Sequence, residues 1–118
     1  MGIIDIHVHY FPKPLFRAIW KYFESHTNGL WNINYKICEK EIVAELAKKD
    51  VRRFTTLVYA HKKGLAGNLN KYIYESSLKY PEILPFGTVF AGDGDVLKTA
   101  KMIFEDWKFY GIKLHPFV

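Results

Sequence analysis

The sequence of 118 residues has a single cysteine, Cys38. One thiol excludes an intramolecular disulfide and fits a reducing, cytoplasmic setting. No apolar run approaches the roughly 18 residues that a transmembrane helix needs, so no membrane partner is expected. The opening stretch MGIIDIHVHYF has no basic region ahead of its apolar positions, and Asp5, His7 and His9 interrupt them. That pattern argues against a secretory leader. Internal repeats, low-complexity tracts and linker-like segments are absent, and the length is one domain's worth at most.

Charge of one sign is in modest excess. Seventeen Lys and Arg face twelve Asp and Glu, for a formal net charge of +5. The basic residues are scattered, and their densest clusters, KKDVRR at 48–53 and HKKG at 61–64, are short. Nucleic-acid binding wants a basic stripe on a reading module, so a solvated lysine-rich surface is the expectation. An anionic small substrate is compatible with the charge.

What is plentiful is core material: 49% of residues are hydrophobic and 17% aromatic. The apolar pattern alternates between short runs and longer helical spacing. Strands are predicted at 2–9, 54–59, 83–90 and 110–114. Helices are predicted at 11–26, 39–49, 68–80 and 95–107, with a loop over 27–37. Pro85 falls inside the third strand and warns of an interrupted edge there. The order β-α-α-β-α-β-α-β implies an α/β fold of parallel strands. An open doubly wound sheet and part of a (β/α)8 barrel both fit. A whole barrel takes about 250 residues, so four strands make about half of one.

The sharpest chemistry lies in Ile4-Asp5-Ile6-His7-Val8-His9. Residues i and i+2 of a strand point to one side, so Asp5, His7 and His9 are expected to share a face. Two imidazoles so spaced can converge on one divalent metal, for which zinc is the natural candidate. His9 ends the strand, and α/β folds place their sites at C-terminal strand ends.

IDIHVHYFP resembles the opening of the amidohydrolase superfamily of metal-dependent hydrolases. It is closest to the branch of amidohydrolase-related and aminocarboxymuconate-semialdehyde decarboxylase-like enzymes. YAHKKG at 59–64, YPEILPFGTV at 80–89 and YGIKLHP at 110–116 continue the resemblance in order, over essentially the whole chain. The resemblance implies the N-terminal half of a TIM-like (β/α)8 barrel, with residues 1–118 forming strands one to four. It makes His7 and His9 the first-strand metal ligands. The remaining usual ligands are a histidine on strand five and an aspartate on strand eight, and neither is assignable here. In such a site the metal lowers the pKa of its water toward about 7 and polarises a carbonyl, and a carboxylate takes the proton.

Further candidates surround the pair. Asp5 is a structural carboxylate or one that orients an imidazole. Lys113 and His115 share a face of the last strand, Lys113 as a buried or substrate-facing ammonium and His115 as a residue lining the site. His61 follows the second strand and is a candidate substrate contact. Cys38 and His26 read as structural. Trp20, Tyr22, Phe23 and Trp31 read as core or as a lid.

The expected function is a metal-dependent hydrolase of a small carbonyl compound, or half of one. Non-oxidative decarboxylation is the sister reaction. A TatD-like deoxyribonuclease, which shares the HxH strand, and a non-catalytic interaction module are the alternatives. A half barrel exposes two strand edges. Self-association, or a second chain completing the barrel, is therefore expected.

Overall fold

The computed structural model describes residues 2–30 and 32–116. Strand β1 (Ile3–His9) leads into helix α1 (Lys13–His26), then α2 (Lys40–Lys48) and β2 (Val51–Leu57). Helix α3 (Ala66–Lys79) precedes two short strands, β3 (Ile83–Leu84) and β4 (Phe86–Gly87). Helix α4 (Val96–Lys101) runs on into a π-helical turn, Met102–Asp106, and β5 (Gly111–Ile112) follows. Every strand pairing is parallel: β1 with β2, β2 with β3, and β4 with β5. The fold is thus α/β with parallel strands. Among the described residues the sheet stays open and forms no closed barrel.

The third predicted strand divides at Pro85. Proline has no N–H to donate and cannot sit inside a continuous ladder. Two buried polar side chains restore what the proline removes. The Phe86 N–H donates to the Thr56 hydroxyl at 3.1 Å, and that hydroxyl donates back to the Phe86 carbonyl at 3.4 Å. Beyond it, Asn70 of α3 holds the Thr88 backbone at both ends. Its amide nitrogen donates to the Thr88 carbonyl at 2.9 Å, and its amide oxygen accepts the Thr88 N–H at 2.8 Å. The Thr88 hydroxyl accepts the Ala60 N–H at 3.1 Å, which ties the end of β2 to the same knot. Asn70, Thr56 and Thr88 are fully buried. Gly87 makes the approach possible, because a Cβ there would lie 2.8 Å from the Asn70 amide oxygen.

The helices cover one side of this sheet. Ala66, Leu69, Ile73 and Ser76 of α3 are buried at helical spacing, with Asn70 among them. Helix α1 begins at a proline whose carbonyl takes the Leu15 and Phe16 amides, and it buries Phe16. Pro at a first helical turn costs nothing, since its missing donor would have no partner there. The predicted helix over 95–107 widens in its last turn. The Trp107 N–H reaches back five residues to Met102, and the Trp107 ring stacks on Tyr74 at 4.7 Å. That stack and fully buried Ile103 anchor the widened turn to α3.

Replacing Asn70 with Leu leaves two buried Thr88 backbone groups unpaired. A loss of about 2–4 kcal/mol in urea unfolding is expected. A loss under about 1 kcal/mol would contradict the role given to this amide.

Candidate functional site

The C-terminal strand ends gather on one side of the molecule. The rings of His7 and His9 lie 5.1 Å apart in an edge-on arrangement. Phe11 stacks against His9 at 6.3 Å and meets Tyr59 edge-on at 5.1 Å. Tyr59, two residues past β2, in turn contacts the His115 ring at 4.9 Å. Since β4 lies between β2 and β5 in the sheet, that contact requires the sheet to curl. The curl brings histidines from the first and last strands to a common mouth.

A cleft of about 590 Å³ opens beside this mouth. His7, His9, Tyr59 and His115 lie on its wall, together with Phe16 and Trp20 of α1. Ile33 and Tyr35 of the segment after α1, and Ile42 and Glu45 of α2, complete other parts of it. The segment is tied down at two points. Lys36 pairs with Glu24, and the Lys49 ammonium donates to the Tyr35 hydroxyl at 3.0 Å. The expectation of a loop over 27–37 fits this irregular path. Trp20 and Phe23 line the cleft, Tyr22 is exposed, and Trp31 lies outside the described residues.

Electrostatically the mouth is cationic. Burial lowers the His9 pKa from the ordinary 6.5, and the nearby His7, Lys113 and His115 lower it further. No carboxylate counters them at His9. The neutral imidazole, the form that binds a metal, is therefore favoured.

The other sequence candidates divide. Strict alternation from Asp5 to His9 is broken. Asp5 pairs with Phe54 while Val8 pairs with Thr56, so β1 carries an extra residue between them. At this bulge the His7 N–H donates to the Asp5 carboxylate at 2.9 Å. Asp5 thus fixes the main chain of His7. Lys113 is half-buried, and its N–H donates to the Gly87 carbonyl at 2.8 Å. His61 is exposed and does not line the cleft. Cys38 is buried, which pushes its thiol pKa up and leaves it a poor nucleophile. His26 closes α1 by donating from Nδ1 to the Tyr22 carbonyl at 2.8 Å.

Sequence reasoning gave Tyr59 no role of its own. Its signal was available, since it follows a strand end two residues before His61. Glu45 and Lys49 had no signal beyond their place on an amphipathic helix.

No three His, Cys, Asp or Glu side chains among the described residues form a group able to hold a metal. His7 and His9 are adjacent nitrogen donors, and a catalytic zinc site commonly uses three protein ligands. No family model, curated protein or solved structure matches this chain.

In metal-free protein, the His9 ring should titrate below 6.5 by NMR. Removing a neighbouring positive charge with Lys113→Met should move it upward. The unfolded chain then binds the extra proton first, so His9 costs stability as pH falls from about 6.5 through its folded value. A Lys113→Met variant with unchanged or lower His9 titration would contradict this electrostatic picture.

Proposed function

We propose that this chain is a metal-dependent hydrolase of the amidohydrolase type, or the part of one that supplies the first four strands of a (β/α)8 barrel. The observation that carries the reading is the His7–His9 pair, 5.1 Å apart at the end of the first parallel strand and opening onto an apolar cleft. The curl that brings Tyr59 against His115 supports the half-barrel architecture.

In this reading His7 and His9 hold a divalent ion, with zinc the best match to their nitrogen donors. The ion supplies Lewis acidity toward a carbonyl and an activated water near neutral pH. The remaining work belongs to the chain. Asp5 fixes the backbone of His7 through the bond to its N–H. Phe11 and Tyr59 brace His9 and His115 and keep bulk water from that side of the cleft. His115 and Lys113 offer donors to the oxygen of a small carbonyl substrate. The apolar walls from α1 and α2 take its hydrocarbon part.

One observation favours a second reaction beside hydrolysis. The groups that act on His9 are all cationic. Such a mouth suits a carboxylate substrate, and non-oxidative decarboxylation is the sister chemistry that uses one.

Protein purified without chelator should carry about one divalent ion per chain by elemental analysis. The His7→Ala/His9→Ala variant should lose it, and His61→Ala should keep it. Absence of metal in the wild-type protein, or equal metal in the double variant, would overturn the reading.

A further inference from the structure

Both edges of the parallel sheet are open. Strand β1 pairs only with β2, and β5 pairs only with β4. An open strand edge offers unpaired N–H and C=O groups to another chain. Natural edges are usually protected by lysine or proline, yet IIDIHVH contains neither. Its one acidic side chain is turned back onto its own backbone through the bond from the His7 N–H. Ile3, Ile4 and Ile6 are 53%, 60% and 75% exposed. The opposite edge is flanked by Tyr110 and Leu114, 64% and 57% exposed.

The two edges differ in kind. One is the first strand and the other the last strand of a parallel, curled array. A β1–β1 contact between two copies related by a two-fold axis would be antiparallel. A β5–β1 contact continues the parallel order. It also repeats the relation already present between neighbouring strands. Counting the third strand once across its Pro85 break, each chain brings four strand positions. Two chains bring the eight that close a parallel α/β barrel.

We propose that two copies of this chain close on each other head to tail, with β5 of each pairing in parallel with β1 of the other. A heterologous contact that closes after two copies gives a two-fold dimer without a free edge. Both His7–His9 pairs then open onto one mouth, so each copy contributes imidazoles to a shared site. The pairing rests on the open parallel sheet, and it stands or falls independently of the metal reading.

The test is sedimentation velocity over the micromolar range in the presence of chelator. Wild-type protein should sediment as a dimer. Ile4→Lys/Ile6→Lys charges the β1 edge, and Tyr110→Lys/Leu114→Lys brackets β5. All four positions are exposed, so each variant should fold, as checked by far-UV circular dichroism. Each variant alone should be monomeric, with a dissociation constant at least about tenfold weaker than wild type. Mixing the two variants should restore dimers, because one of the two interfaces then joins an unaltered β5 to an unaltered β1. A wild-type monomer overturns the proposal. So does a folded β5-edge variant that stays dimeric, since that is the signature of β1–β1 pairing. Failure of the mixture to recover dimers overturns it as well. A dimer that dissociates only on adding chelator overturns edge pairing and leaves the metal reading intact.

Discussion

A proline in the third strand removes a ladder donor, and the position of every strand end depends on how that loss is made good. Thr56 replaces the missing ladder bonds with a hydroxyl that both accepts from and donates to Phe86. Asn70 then takes both backbone groups of Thr88 from the helix side. These are buried polar groups in a medium where an unpaired partner costs about 1–3 kcal/mol each. They therefore fix geometry more sharply than apolar packing alone would. Gly87 leaves the space the amide needs, and Gly111 does the same for the Phe86 ring, 2.6 Å from where its Cβ would sit.

The consequence is a curled sheet. Its second and fourth strand positions send Tyr59 and His115 into contact across the third. His9 on the first strand falls within electrostatic reach of Lys113 and His115 on the last. A flat sheet would hold these groups well apart, since neighbouring strands are spaced about 4.8 Å. The site is therefore a product of tertiary curvature. Its cationic character follows from the same curvature, which gathers histidines and a lysine while the Asp5 carboxylate is occupied by a backbone amide.

Much of this was legible in the sequence. The alternation of short apolar runs with helical spacing gave the parallel α/β order, and Pro85 announced the break in the third strand. His7 and His9 stood out because two imidazoles two residues apart at a strand end have few purely structural reasons to be there. Less legible was the bulge between Asp5 and Val8. Period-two alternation presumes a regular ladder, and nothing in IDIHVH signals an extra residue. Asn70 was also invisible as a keystone. A polar residue amid Leu69 and Ile73 can face solvent or be buried with partners, and only the position of Thr88 decides. His61 lies close to a strand end in sequence yet points away from the cleft, because the chain has already turned toward α3.

The central claim is that the first and last strands present their histidines to one metal-binding mouth. Paramagnetic Co²⁺ added at about one ion per chain tests it most directly by proton NMR, since cobalt accepts the nitrogen donors that zinc does. The account predicts shifted and broadened ring signals for His7 and His9, with His115 strongly affected as their neighbour and His26 and His61 little changed. Broadening that spares His115, or that falls equally on His26 and His61, would contradict it.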